Sequence, residues 1–245
     1  MLVCMVFFIS HWYLSLFCQS FFLHRYASHK MFELSPFWQK FFYIMTFVTQ
    51  GTSFLNPAAY ATLHNLHHEH SDRPEDPHSP HQNDNLLTMM WSTFMTYESL
   101  VKDKVKIPAR FRFKEFEKMD TITDLWSIRL CWIFVYATFY YLFAPHPIYY
   151  LLIPVHAMMG PIHGAIVNWC GHKYGYRNFN LEDHSYNTLW IDFLMMGELY
   201  QNNHHKACRK WDFASKWYEL DLTFLIMRLL HSVGIIRPLR FGTSR

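Results

Sequence analysis

Histidines in short, spaced clusters are the feature of this sequence with the clearest chemical meaning. The chain has 17 histidines among 245 residues, and the 17 are not in a single run. One cluster has the spacing HxxxxH, a second has HxxHH, and a third has Gln201 in the first place and two adjacent histidines at its end. A further histidine follows Asn168 by four residues. The eight histidines concerned are His24, His29, His64, His67, His68, His172, His204 and His205.

The spacing within the clusters determines where their side chains can meet. Positions i, i+3 and i+4 share one face of a helix, so the HxxHH cluster aims three imidazoles at one small region. Packing alone does not explain such a cluster of three imidazoles, because burying imidazoles without hydrogen-bond partners costs free energy. His24 and His29 are five residues apart, which is about 140° of rotation on an ideal helix. They converge if the helix ends between them, or if they flank a pair of metal ions.

Eight nitrogen donors are too many for one tetrahedral zinc ion. They suit two five- or six-coordinate ions that keep positions open for a small molecule. Neutral imidazole binds iron, zinc, copper and nickel, and open positions on a paired site favour iron, because O2 can bind and be reduced there. The alternative is that these histidines are scattered over the surface. It does not explain why the three clusters and the histidine after Asn168 are all expected at one face of the membrane.

The other histidines predict different roles. His11 lies in the first apolar segment, and His156 and His163 share one face of the fourth. Ionisable residues inside a membrane suggest function, but we expect these three to pack inside the helix bundle. The remaining six are expected at the surface or at helix caps, namely His70, His78, His81, His146, His184 and His231.

Composition places the chain among membrane proteins of one domain, residues 1–245. It is 51% hydrophobic and 19% aromatic, and no linker divides it. The net charge of +3 gives no basic patch of the density that nucleic-acid binding needs. None of the five cysteines forms a CxxC pair. We therefore expect neither a disulfide framework nor a zinc ribbon.

Four apolar stretches could enter the bilayer, at residues 1–23, 36–55, 125–143 and 148–167. The first lacks a basic start and a cleavage site, so a removed signal peptide is not expected. The Lys and Arg residues are concentrated after the first stretch and in 60–121 and 168–245, which predicts a cytoplasmic location for these segments.

This topology predicts an all-α integral membrane protein with about three transmembrane helices. The stretch 36–55 has cytoplasmic segments on both sides, so it should be re-entrant or interfacial. A full span is the alternative, and it would separate the histidine clusters. Residues 212–236 mix apolar and charged residues, which predicts an amphipathic helix against the membrane. A helical cytoplasmic cap would then hold the histidine-rich site for two metal ions.

Several motifs together resemble the membrane fatty acid desaturase family, in particular its acyl-CoA desaturase branch. HRYASH at 24–29, HNLHH at 64–68 and GELYQNNHH at 197–205 are similar to the three histidine boxes of that family. NWCGH at 168–172 resembles the NxxxH element of the branch, and GYRNF at 175–179 the stretch that follows it. Asp76-Pro77-His78 resembles the DPH after the second box.

The resemblance implies an O2-dependent enzyme with two iron ions that forms a cis double bond in a long-chain fatty acyl group. The family's ligands carry over to the eight histidines, and Asn168 would hold one iron through a water molecule. Gln201 replaces a histidine of the third box. Its amide oxygen could bind the metal, or its position could be left to water.

The sequence differs from the family pattern in two more respects, one at its N-terminal end and one that concerns the acyl carrier. The chain begins at what looks like the second span of the family, so we expect one helix in place of the first hairpin. Thr62-Leu63 stands where animal acyl-CoA enzymes have Arg-Asp. A contact suited to CoA phosphates is thus missing. Acyl-CoA stays the expected carrier, with acyl carrier protein and phospholipid as alternatives.

Substrate and reductant sites are also predicted. Gly160, Gly164 and Ala165 could make room for an acyl chain, although close helix packing explains small residues as well. No flavin, nicotinamide or haem motif is visible, so an external donor such as ferredoxin or a cytochrome b5-type protein should supply electrons. It could dock on the basic stretch, which consists of Lys102, Lys104, Lys106, Arg110, Arg112 and Lys114. Anchoring of the loop by positive charge explains that stretch equally well.

Two other functions are compatible with a histidine-rich membrane site. A lipid hydroxylase or ketolase would use the same di-iron scaffold but would add an oxygen atom to its product. A metal transporter or sensor would need ligands near the bilayer midplane and a broken helix or a repeat. The clusters are expected at one face, and no repeat is visible.

Overall fold

The computed structural model describes residues 1–103 and 106–239, and these residues are mainly helical. The α-helices are α1 (Leu2–Cys18), α2 (Pro36–Gln50), α3 (Pro57–His70), α4 (Leu86–Lys102), α5 (Glu117–Thr123), α6 (Trp126–Phe143), α7 (Leu152–Ala157), α8 (Met159–Ala165), α9 (Gln201–Lys206) and α10 (Leu222–Ser232). Two π-helical segments, Gln19–Ser28 and Ile166–Cys170, continue α1 and α8. Short 3-10 turns are Gly51–Ser53, Ala109–Phe111, Lys114–Phe116 and Pro147–Leu151.

Within residues 1–103 and 106–239, two helices are long and apolar enough to cross a membrane, Leu2–Ser28 and Trp126–Phe143. A third candidate is the pair Pro147–Ala157 and Met159–Cys170, which is bent by 68°. The straight span expected at 148–167 is therefore broken at Met158. Gly160, just after the bend, donates its N–H to Ser53 Oγ at 2.9 Å, so a neighbouring side chain satisfies one backbone group that the bend frees.

Helix α2 is too short to cross the membrane by itself. Its 15 residues extend about 22 Å, against a hydrocarbon core of about 30 Å. It ends at Gly51, whose φ of 53° favours glycine, and the Gly51–Ser53 turn follows. The re-entrant or interfacial course of this segment stays a prediction.

The C-terminal amphipathic helix is shorter than predicted. The predicted range was 212–236, but α10 begins only at Leu222. The Asp221 side chain accepts the N–H of Phe224 and caps the helix there, and the Glu219 carboxylate accepts backbone N–H groups from Ser215 and Lys216. These hydrogen bonds stabilise the non-helical backbone before α10.

A small sheet, which the all-α prediction did not include, joins distant parts of the chain. Strand β1 (Phe32–Leu34) pairs antiparallel with β2 (Ile236–Pro238), so Phe32 lies opposite Pro238. The core lies around the π-helical segment Gln19–Ser28, whose residues are all buried. That segment packs on α3, and the contact brings two of the histidine clusters together.

All five cysteines are free in the structure, which agrees with the sequence prediction. His11 and His156 lie inside the bundle, where their Nδ1 atoms are in contact and Tyr140 Oη is 2.7 Å from His156 Nε2. His163 is fully buried against the ring of Trp12. His11 and His156 thus contact each other inside the bundle, whereas His163 also lines the cavity described below.

Candidate metal centre

Five of the eight predicted histidines form one group, and three chain segments supply them. His24 and His29 come from the π-helical segment and the residue after it, His64 and His68 from α3, and His204 from α9. One nitrogen from each ring lies within 4.8 Å of all the others. Neighbouring Nε2 atoms are close: His29 to His64 is 2.8 Å, His64 to His68 is 3.0 Å, and His68 to His204 is 3.0 Å.

The π-helical segment explains how the HxxxxH spacing brings two rings to one place. In a π-helix each N–H bonds to the carbonyl five residues earlier, so residues i and i+5 lie nearly above one another. The N–H of His29 donates to the carbonyl of His24 at 3.1 Å in this pattern. The predicted convergence therefore comes from a wider helical turn, and the helix also ends between the two histidines, at Ser28, which is one of the two expected routes.

Helix α3 orients the histidines of the HxxHH cluster, because capping interactions determine the residue at which the helix begins. The Asn56 side chain accepts the N–H groups of Ala58 and Ala59, and Pro57 occupies the first turn. From that start, His64 and His68 are one turn apart, and both face the other three histidines of the group of five. His67 is rotated away from them and contributes to a second group.

The second group consists of His67, His172 and His205, with one nitrogen each within 4.8 Å of the others. In each ring the Nε2 atom is buried and has no hydrogen-bond partner among the described residues. In each ring the other nitrogen contacts a carboxylate. The Nδ1 distances are 2.8 Å from His67 to Asp76, 3.0 Å from His172 to Asp72, and 2.8 Å from His205 to Asp183.

This arrangement fits a metal ion. Metal-bound histidines generally donate the other ring N–H to a carboxylate or carbonyl, which fixes the tautomer and leaves the free nitrogen for the ion. The three rings of the second group all have this arrangement. In the group of five, His24 Nδ1 likewise contacts Glu198 at 2.6 Å. Three buried, unpartnered nitrogens converging on one point would be costly without an ion between them.

The pKa values support neutral imidazoles and ionised carboxylates. Burial, followed by repulsion from neighbouring histidines, holds the pKa of His29 and His204 well below 6.5. Burial also lowers the pKa of His205 to about 4, although its hydrogen bond to Asp183 opposes the change. Burial is the largest effect and would raise the pKa of Asp76, but the hydrogen bond from His67 and the smaller contributions of neighbouring groups together outweigh it and lower that pKa to about 2. Neutral imidazole is the form that binds metals.

His78 corrects one sequence prediction. We expected it at the surface, but it is 4% exposed, and neither ring nitrogen has a partner among the described residues. It lies beside His67, with ring centroids 4.6 Å apart, because the Asp76 carboxylate contacts His67 Nδ1 and also accepts the N–H of His78. One nitrogen of His78 could join His67 and Asp76 at an ion.

The sequence reasoning missed the four carboxylates that contact the rings, Asp72, Asp76, Asp183 and Glu198. Asp76 and Glu198 lie within motifs that were recognised, so their positions near the histidines were visible. Asp72 and Asp183 carried no signal, because their partners His172 and His205 are 100 and 22 residues away in the sequence.

A cavity of about 440 Å³ leads to the group of five. Its walls include His24, His64 and His78, and also Asn168 and Gln201, the two predicted amide ligands. Gln201 is buried and donates its Nε2–H to the carbonyl of Glu198 at 2.7 Å, so its amide oxygen is the atom left to face an ion or water. Gly160 and Gly164 line the cavity as predicted, whereas Ala165 is not among its lining residues.

Comparison with known proteins gives a family and several relatives. The model of the family described as "Fatty acid desaturase" matches residues 1–229. An sn-1 stearoyl-lipid 9-desaturase of Anabaena variabilis is 32% identical over 80 residues, which are 33% of this chain and 29% of that protein. An icosanoyl-CoA 5-desaturase of Limnanthes douglasii is 30% identical over 78 residues, which are 32% of this chain and 22% of that protein.

A third relative has a related but different reaction in its name. A hex-5-enoyl-[acyl-carrier protein] acetylenase of Moorena producens is 28% identical over 79 residues, which are 32% of this chain and 26% of that protein. The matched segment spans less than a third of the length of each of the three relatives.

Proposed function

The chain belongs to the fatty acid desaturase family, and from this we propose that it is an O2-dependent oxidoreductase that forms a cis double bond in a long-chain acyl group. Two neighbouring methylenes lose two hydrogen atoms, and O2 accepts these together with two electrons and two protons. The products are the alkene and two molecules of water. The supporting observation is that an apolar cavity ends at the group of five histidines, where His24 and His64 form part of its wall.

The cavity suits an alkyl chain. Its volume of about 440 Å³ is in the usual range for small-molecule sites. Most of its wall is apolar, with Leu16, Leu55 and Val167 among the lining residues, and the polar side chains are concentrated near the histidines. Such walls hold a chain by burial and exclude water from the reacting methylenes.

We infer that the two histidine groups would hold two iron ions, one group for each ion. Iron held there would supply the oxidising power needed to remove hydrogen from an unactivated methylene, which acid–base groups cannot do. The protein residues have other roles. The carboxylates Asp72, Asp76 and Asp183 orient the rings of the second group, and Glu198 orients His24. Asn168 and Gln201 lie where a water ligand or an amide oxygen could complete the set.

The proposed electron donor is a separate ferredoxin or cytochrome b5-type protein at the cytoplasmic face. Five residues of the predicted basic stretch are exposed, namely Lys102, Lys106, Arg110, Arg112 and Lys114. Lys104 lies outside the described residues. An acidic donor would be attracted to such a stretch, and the rate of electron transfer should then fall as salt increases.

Fatty acid profiling of cells that express the chain tests the proposal. Wild type should produce new acyl chains that are two mass units lighter than their saturated precursors, and His67→Ala should abolish them. His231→Ala is the matched control, because this exposed histidine lies outside both groups. A product heavier by one oxygen atom would contradict desaturation and favour a hydroxylase. Unchanged double-bond content in His67→Ala would contradict the role of His67.

A further inference from the structure

The exposed residues of the cavity wall show where it opens. Leu87 and Trp91 of α4 are 80% and 64% exposed, and Met158 at the bend between α7 and α8 is 52% exposed. Deeper lining residues such as Tyr97 and Gly160 are buried. The opening therefore lies between the N-terminal half of α4 and the bend in the third candidate span.

Exposed apolar residues surround this opening. Met158 lies near the middle of the bent pair that forms the third candidate span. On α4, the exposed apolar residues Leu87, Trp91, Phe94 and Met95 lie on one face, as their spacing of four, three and one residues requires. The two charged residues of α4, Glu98 and Lys102, both lie near its C-terminal end. A helix with such a stripe lies with its apolar face against the bilayer.

The opening carries no group suited to a charged carrier. Among the described residues that line the cavity, there is no lysine and no arginine. The phosphates of CoA or of a phosphopantetheine arm are normally held by such cations. The basic stretch at 102–114 begins only at the far end of α4, away from Leu87 and Trp91.

We propose that the substrate is an acyl chain of a bilayer phospholipid, and that it enters the cavity laterally between α4 and the bend at Met158. The lipid headgroup stays at the membrane surface, so the protein needs no cation to bind it. The chain slides past Leu87 and Trp91 until its methylenes reach the histidine groups. This inference rests on the proposed desaturase function and adds the carrier and the route.

Two isotopes distinguish the carriers in living cells. Phospholipids are first labelled with deuterated stearate, and a chase removes unesterified label. Expression is then induced together with ¹³C-acetate, which marks newly made acyl chains. Mass spectrometry of the phospholipids should show deuterated chains that have lost two deuterium atoms. Double bonds in ¹³C chains only would overturn the inference and leave the proposed function intact. Absence of new double bonds from both pools would overturn both.

Matched tryptophan variants test the route. Trp91→Glu places a charge in the opening and should lower the deuterated product about tenfold, because a carboxylate opposes passage of an alkyl chain. Leu87→Glu, at a second exposed position, should act in the same direction. Trp217→Glu is the control, because Trp217 is 94% exposed and does not line the cavity. Iron content and protein level are measured for each variant. Equal product from all three variants and wild type would overturn lateral entry.

Discussion

At the scale of single residues, the centre depends on pairs in which a carboxylate orients an imidazole. Asp183 is half-buried beside His205, and its pKa lies well below the usual value: burial is the largest effect and opposes ionisation, but the hydrogen bonds from His205 and Ser185 and the attraction of His205 together outweigh it. The carboxylate therefore stays charged and accepts the Nδ1–H of His205. The Nε2 atom, which is buried without a partner, is then held as the lone-pair donor that a metal ion needs.

Asp183→Asn should weaken metal binding at the second group by about 10–100-fold, the usual effect of losing such a carboxylate. The amide is neutral and no longer enforces the right tautomer of His205, whereas its oxygen can still accept from Ser185. Glu182→Gln is the control, because Glu182 is exposed and forms only a 3.7 Å surface pair with Arg73. Anaerobic titration with Fe²⁺ measures both affinities. Equal affinities for the two variants would contradict the orienting role.

Residue types and spacing drew attention to the eight histidines, but an i, i+3 and i+4 geometry of three imidazoles applies only to His64, His67 and His68. The other five were selected with the help of the resemblance of their motifs to the family. Spacing did not assign the eight histidines to groups. His67 and His68 are neighbours, yet they belong to different groups because adjacent helical positions are about 100° apart. Asp72 and Asp183 meet their histidine partners only through tertiary folding. The burial of His78 depends on the turn at Asp76, and sequence spacing does not predict that turn.

At the scale of elements, irregular helices position the site. The π-helical turn brings His24 and His29 together, and the bend at Met158 opens the wall of the cavity. Hydropathy gave the approximate range of the fourth apolar stretch but not its 68° bend, beside which Gly160 contacts Ser53, 107 residues away. The same reasoning applies to α10, whose start is set by the Asp221 cap rather than by its apolar pattern.

Gly160→Ala tests this contact. An added Cβ would lie 3.1 Å from the carbonyl oxygen of Ser53, so α8 or the Gly51–Ser53 turn must move, at a cost of about 1–3 kcal/mol. Gly164→Ala is the matched control, since a Cβ there meets no atom within 4 Å and should gain up to about 1 kcal/mol in helix propensity. Thermal unfolding in detergent compares the two. A Tm for Gly160→Ala at or above that of Gly164→Ala would show that the contact does not restrict the bend.

At the scale of the whole molecule, the metal centre joins segments that are far apart in the chain. The group of five combines residues near 24–29, 64–68 and 204, and the second group combines His67, His172 and His205. Ligands that bind only the folded state stabilise it, by about 2.7 kcal/mol at a free concentration 100 times Kd. Bound iron should therefore stabilise the contacts between the π-helical segment, α3 and α9, and its removal should lower the Tm.

The two groups should each hold one ion, and His172→Ala separates them. His172 contributes to the second group only, so the variant should retain about one iron per chain where wild type holds two. His184→Ala should keep both ions, because His184 is exposed and belongs to neither group. Elemental analysis of protein purified without oxygen gives the counts, and the loss of Tm on chelation should be smaller for His172→Ala than for His184→Ala. If His172→Ala lost both ions, the eight histidines would form a single cooperative site rather than two. If it kept both, His172 would not be a required ligand of the second group, and the division into five and three ligands would be wrong.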